Sequence, residues 1–451
     1  MKAISKMLEY LEARARTLVC LLLLGLLVIA PTAAQAYEFA TDSGEPDGTQ
    51  LRWKLGAPIH FTQHVTGNGE IPSWLLQAEA RKAFQAWAEL PEASVTFVED
   101  AAFAGPECPH ALPEGSSAEE VCGGPLPPHD FRSALFFIET EWPFGEEVIA
   151  LTTLSWQENG ELVDADISFN GLDYRWSVGT EDVFVDFRSI ALHEVGHFLG
   201  LAHSQDPSAV MRVDYEEGQL ARTLAADDAA GIGALYPCNQ QPCVGGITVE
   251  PSGCSMLGSR SLSVAGVLCL GLLLLPLLRS RRGPQALAAG MLLCLTLMVP
   301  TGPRSSTALI LDVDALTERA DRVVRADVVS SRSWRDGIVW TEVTLAITEE
   351  WKGTGNSEVT LRQPGGVVPG FGTRVFGVPG FTEGEDVVVF LDQGRVLGLA
   401  QGKFAVDQSQ RLTRDLSGLT LARVGGHRAP SPVESPATLE GLRNSVVVDD
   451  L

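Results

Sequence analysis

The sequence predicts an α/β (α+β) domain over 37–237, an apolar hairpin over 262–300 and a second small all-β barrel or sandwich domain over 309–425. Three observations carry this division. Helix-period runs intermingle with short β-rich runs in the first stretch. Two apolar runs then flank an arginine cluster. After 309, β-rich runs follow one another between glycine- and proline-rich turn signals.

The chain opens on Lys2, Lys6, Arg14 and Arg16, followed by apolar residues from Leu18 to Ala30. Ala34-Gln35-Ala36 has the small-x-small form of a signal-peptidase site, so 1–36 reads as a signal peptide, with an uncleaved anchor helix as the alternative. Either reading puts Tyr37 onward outside the cytoplasm, in a periplasmic or cell-surface setting. The cysteines agree with export. Of 8 in the chain, Cys108 and Cys122 flank one loop, and Cys238 and Cys243 flank NQQP; both pairs read as local disulfides.

In the first domain, WLLQAEARKAFQAWAEL puts Leu76, Ala80, Ala83, Phe84, Trp87 and Leu90 on one helical face behind Pro72. Strands are expected at 59–62, 94–98, 133–138, 148–154 and 164–169. A second helix runs through His193 and His197, and a third is expected over 225–236. A Cys/Pro/Gly linker, 238–261, leads to apolar runs at 262–278 and 286–300. Both are short for membrane spans, which need about 17–25 residues. Arg279, Arg281 and Arg282 between them mark a cytoplasmic turn, so a membrane-anchored hairpin is the simplest topology.

Two other readings stay open. GCS, an apolar run and an arginine cluster resemble the C-terminal sorting tails of some exported Gram-negative proteins. The segment after them also reads as a second signal peptide ending at Ser306-Thr307-Ala308, which would make the chain two exported proteins in one. The second domain begins with a helix, DVDALTERADR, continues as strands from VVRADVVSS to KFAV, and is followed by a loose tail, 426–451, ending in a short helix.

The chemistry concentrates in HEVGHFLGLAHS, which holds three of the chain's 8 histidines. His193 and His197 stand four residues apart, so on a helix they face the same way and can share one Zn²⁺. Glu194 is too close to His193 to be the natural third ligand and is well placed to hold a water. Gly200, free to take positive φ, can end the helix and bring His203 round as the third ligand. Three protein ligands leave a fourth position open, the arrangement of a catalytic zinc. A formal net charge of −24 argues against a nucleic-acid partner.

HExxHxxGxxH followed by a methionine resembles the metzincin metalloproteases, and Ser204 after the third histidine resembles their matrixin branch. Met211 in SAVM falls where matrixins place the turn methionine. The stretches AFQAWAEL with SVTFVE, VDADISFN and LAADDAAGIGALYP extend the resemblance over roughly 50–237.

The resemblance implies a metzincin-like fold with a twisted mixed sheet of five strands and three helices. It implies one catalytic zinc on His193, His197 and His203, with Glu194 as general base. It also implies Met211 as a floor, and protein or peptide substrates laid along an edge strand, for which VIALTTL (148–154) is the candidate. The cysteine-switch motif and the second-zinc histidines of vertebrate matrixins are missing; His129-Asp130 reads as an ordinary loop pair. Asp166 has two readings, a Ca²⁺ ligand or a backbone cap, and no motif supports calcium. The rival function is a non-catalytic zinc-stabilised surface or adhesion protein.

The second domain weakly resembles netrin-type barrels, the fold of metalloprotease inhibitors, which raises an intramolecular contact with the first. It lacks the N-terminal cysteine through which those inhibitors chelate zinc. A module for anchoring or substrate contact is the plainer expectation.

Overall fold

The computed structural model describes residues 36–103, 132–238, 245–249, 307–423 and 436–448, apart from positions 182, 213, 217 and 417. The signal peptide, Cys108, Cys122, His129, Cys243 and both apolar runs lie outside these residues. Among the described residues no helix is long and apolar enough to cross a membrane.

Five strands make the sheet of the first region: β1 (Ile59–Gln63), β2 (Thr96–Glu99), β3 (Ala134–Ile138), β4 (Val148–Gln157) and β5 (Leu162–Asn170). Their order is β2-β1-β3-β5-β4; β4 is antiparallel to β5 and the other pairs are parallel. The sheet is therefore mixed.

Helix α1 (Ser73–Ala88) buries Leu76, Ala80, Ala83, Phe84 and Trp87, the face its periodicity predicts. Phe84 stacks on Phe61 of β1, with ring centroids 3.9 Å apart. Short strands β6 (Trp176–Ser177) and β7 (Val185–Asp186) pair ahead of helix α2 (Phe187–Phe198). Asp186 caps α2, accepting from Ser189 N at 2.9 Å, and Arg222 Nε holds the same carboxylate at 2.9 Å. Almost every residue of α2 is buried, as befits a helix between the sheet and α1. Trp87 Nε1 donates to Leu192 O at 2.8 Å and pins the two helices together. Strand β8 (Asp214–Glu216) and helix α3 (Ala226–Leu235) complete the region, and β9 (Gly246–Val249) pairs with β2.

The second region departs from the all-β expectation. Strand β10 (Thr307–Leu309) leads to helix α4 (Val313–Arg319), whose N-cap Asp312 accepts from Ala315 N at 2.8 Å. Two long strands follow, β11 (Arg322–Asp336) and β12 (Ile338–Lys352), then β13 (Glu358–Pro364), β14 (Gly366–Val368) and β15 (Phe371–Val375). The remaining strands are β16 (Asp386–Asp392), β17 (Arg395–Val396), β18 (Lys403–Val406), β19 (Leu412–Thr413) and β20 (Thr420–Arg423). Helix α5 (Leu439–Val448) is the last element.

An open sheet, β13-β12-β11-β16-β18-β19, replaces the expected barrel or sandwich. Alternation along β16 explains its two faces. Val387, Val389 and Leu391 join an apolar cluster on one side, and Val388 and Phe390 join one on the other. Leu316 of α4 and Leu439, Leu442 and Val446 of α5 fill the second cluster. The short helix expected at the end of a loose tail is present but is core material: its apolar residues recur at helical spacing and find a sheet face to cover. Among the described residues the chain has five helices, three of them before 238.

A second departure bears on the site. Strand β4 is not an edge. Strand β10 pairs antiparallel with it at Val148 and Ala150, and β15 pairs antiparallel with it from Thr153 to Gln157. Strand β20 continues parallel to β10, and β8 follows parallel to β20, so one 11-stranded sheet runs through both regions. No single stretch of sequence announces this, because a strand's neighbours are a property of the fold.

Candidate metal centre

His193 and His197 project from the last two turns of α2, and the chain must reverse to bring a third histidine beside them. Gly200 makes the reversal at φ +95°, where a Cβ would lie 2.1 Å from Leu51 O. Its N–H donates to His197 O at 2.8 Å, and Leu201 N donates to Gly196 O at 3.0 Å, closing the helix end. His203 then arrives with its Nε2 2.8 Å from His193 Nε2, which in turn lies 2.9 Å from His197 Nε2. All three imidazoles are buried.

The second ring nitrogens decide what can sit at this convergence. Facing backbone carbonyls make His193 Nδ1 the donor to Val210 O at 2.8 Å, and His197 Nδ1 the donor to Leu201 O at 2.9 Å. The protons therefore reside on Nδ1, and the Nε2 lone pairs of His193 and His197 face each other. Burial, the largest effect, pushes the His193 imidazolium down to about 4 and that of His197 well below its usual range, so neutral rings are favoured. Converging lone pairs in a dry setting need a shared cation. The ligand nitrogens of His193, His197 and His203 all lie within 4.8 Å of one another, and buried imidazoles, two of them neutral with Nδ1 fixed on carbonyls, are the donor set zinc prefers. The residues present fit one such ion.

Glu194 is wholly buried, and burial pushes its carboxyl up to about 7. Two hydroxyls pull in the other direction: Thr152 Oγ1 donates to Oε2 at 2.6 Å and Thr307 Oγ1 to Oε1 at 3.3 Å. A carboxylate balanced near neutrality can take up and release a proton at ordinary pH.

Met211 is buried beneath α2, against Gly196. Asp228 of α3 holds its turn, accepting from Val210 N at 2.8 Å and Met211 N at 3.1 Å, while Met211 O accepts from Ser204 N at 2.6 Å. The Val210 carbonyl of this turn is the one that orients His193. The Asp166 carboxylate accepts the Ala134 N–H at 2.9 Å, a side-chain-to-backbone bond joining β5 to β3. Cys238 is disulfide-bonded, with its partner outside the described residues.

Four residues around the centre carried no signal in the sequence. Thr152 is one of two adjacent threonines in a β-rich run. Thr307, Phe376 and Thr420 lie more than 100 positions beyond the histidines. Thr420 Oγ1 is 2.6 Å from His203 Nε2 and 3.1 Å from His193 Nε2, and the Phe376 ring lies against His197 with centroids 4.8 Å apart.

Known proteins share this part of the chain. Residues 144–237 match the matrixin (Peptidase M10) family model. Human matrix metalloproteinase-20 is 41% identical over 78 residues, 17% of this chain and 16% of that protein. The Arabidopsis thaliana metalloendoproteinase 1-MMP is 44% identical over 61 residues, 14% of this chain and 17% of its own. Human matrilysin is 43% identical over 65 residues, 14% of this chain and 24% of its own. The chain thus spans a quarter or less of the length of these relatives. Within it, residues 144–237 form a matrixin-type metalloprotease region.

Proposed function

We propose that this chain is an exported zinc-dependent metalloendopeptidase that hydrolyses peptide bonds of protein or peptide substrates. One observation carries the reading: three imidazoles with converging nitrogens stand beside a buried carboxyl pushed up to about 7. His193, His197 and His203 would hold the ion. Bound Zn²⁺ supplies a Lewis acid for the scissile carbonyl and eases deprotonation of a water.

The remaining work belongs to the chain. Glu194 accepts the water's proton and returns it to the leaving amine, and a pKa near the working pH serves both transfers. Thr152 donates to the carboxylate from β4 and favours its charged form. The Val210 and Leu201 carbonyls fix the tautomers of His193 and His197. With β10 and β15 withdrawn from β4, a peptide would add along it as one more strand, main chain to main chain. Export follows from the leading basic and apolar residues and is supported by the disulfide at Cys238.

The test uses the full chain, with bound metal and cleavage of unstructured peptides measured side by side. One zinc is expected, lost in His197→Ala. Cleavage should be measurable and should fall by about 10²–10⁴-fold in Glu194→Ala with the zinc retained. Zinc without cleavage in any form would return the chain to a zinc-stabilised binding protein. A chain with no zinc would sink both readings.

A further inference from the structure

We propose that the C-terminal region, 307–423, is a built-in inhibitor of the matrixin-type region, occupying the cleft where a peptide would lie. Its inhibitory consequence rests on the protease reading above; the occupancy itself does not.

The first argument is main-chain geometry. A strand can recruit a peptide only through unpaired N–H and C=O groups on its outer side. On β4 those groups are taken. Strand β10 covers Val148 to Ala150, and β15 covers Thr153 to Gln157. Between them, the Thr152 carbonyl accepts from Phe376 N at 3.4 Å. A substrate strand has no edge left to add to.

The second argument is at the chemical groups. Thr420 contacts His193 and His203, Phe376 lies on His197, and Thr307 donates to Glu194 Oε1. Because Thr152 already holds Oε2, both oxygens of the carboxylate are engaged, and a water on Oε1 would have to share that oxygen with the Thr307 hydroxyl. What faces the imidazoles is a hydroxyl and an aromatic ring, neither of which is a bond this site could cleave. The space left beside His193, bounded by Thr307, Thr420 and Tyr215, is about 20 Å³. That admits a water and not a peptide side chain.

The docked surface is also shaped for its place. Gly372 in β15 lies over the buried Trp156 ring, where a Cβ would meet Cζ2 at 2.3 Å. Thr373 beside it is buried against Ser155, hydroxyl to hydroxyl at 3.3 Å. Farther from the histidines, Arg395 donates to Pro143 O at 2.8 Å and Gly398 N to Glu147 Oε1 at 2.9 Å. These contacts hold the region down without involving the metal centre.

Two full-chain variants test the proposal: Gly372→Leu, which drives a side chain into Trp156, and Thr420→Arg, which sets a cation against the histidine cluster. Amide hydrogen exchange over 148–157 and over 187–198 reports docking independently of activity, and peptide cleavage reports its consequence. In the wild-type chain 148–157 should exchange slowly. In either variant it should speed up while 187–198 stays slow, which also shows that the first region remains folded. Cleavage should rise roughly 5–150-fold, the range of ordinary coupling between sites, and should vanish when Glu194→Ala is added.

Free exchange of 153–157 in the wild-type chain would overturn the occupancy and leave the protease reading standing. Exposure of β4 in the variants without faster cleavage than a working wild-type chain would overturn the inhibition. Protected β4 in the wild type, exposed β4 in the variants and no cleavage by any form would support the occupancy while the protease reading falls.

Discussion

The Thr152 hydroxyl donates to Glu194 Oε2 at 2.6 Å, joining strand β4 to helix α2 at the carboxylate beside the histidines. This bond favours the charged form, while burial of Glu194 favours the neutral one and raises its carboxyl to about 7. Thr152→Val keeps the shape of the side chain and removes the donor. The Glu194 pKa should therefore rise further, and the acid limb of the pH profile of kcat/KM should move to higher pH. Well below the limb the rate should fall about tenfold, the size of one hydrogen bond to a charge; well above it the rate should change little. A limb that stays in place would mean another group controls it.

Glu147 offers a second pH-dependent test, one that reads stability. The residue is buried, and its Oε1 accepts the Gly398 N–H at 2.9 Å across the two regions. Burial, outweighing that bond, raises its carboxyl above the ordinary value of 4.5. A carboxyl that binds its proton more tightly when folded contributes most below the unfolded pKa, and the contribution is lost as pH rises through the folded pKa. Glu147→Gln retains an oxygen to accept from Gly398 and carries no charge to bury. Thermal melts should place the variant a few degrees above the wild type at about pH 8, with the gap closing toward about pH 4. A gap independent of pH would show that the charge of Glu147 is not what matters.

The first region was legible because its signals are local. The face of α1 follows from residues three and four apart, and the run HEVGHFLGLAHS contains its own helix, its own stop at Gly200 and its own ligand spacing. The strands at 134–138, 148–157 and 162–170 likewise follow from short β-rich runs.

What escaped was set by distance along the chain. Asp228 supports the Met211 turn from 17 residues away, through backbone N–H groups that have no sequence signature. Thr307 and Thr420 are ordinary threonines until the fold places them at Glu194 and His203. The same limit explains the second region: the unbroken apolar run of β16 suits a strand buried on both faces, but does not say that α4 and α5 would cover one of them.

Gly196 shows how tightly the metal centre is packed from below. It stands between His193 and His197 in the interior of α2, where alanine would ordinarily favour the helix by about 1 kcal/mol. Here a Cβ would lie 2.2 Å from Met211 Sδ and 2.9 Å from Trp87 Cζ2. Both neighbours are buried, with no open space to retreat into. Trp87 is tied to Leu192 O, and the Met211 turn is held by Asp228 on one side and Ser204 on the other. Gly196→Ala should therefore destabilise the chain by about 1–2 kcal/mol, overpacking outweighing propensity, as read from urea unfolding. It should also push on the turn whose Val210 carbonyl orients His193, weakening zinc binding about 10–100-fold in competition with a chelator. Adding Met211→Ala empties the space the new methyl needs, so Gly196→Ala should cost less stability in the Met211→Ala background than it costs in the wild-type chain. If zinc affinity is unchanged in Gly196→Ala while stability falls, the turn supports the fold without positioning His193.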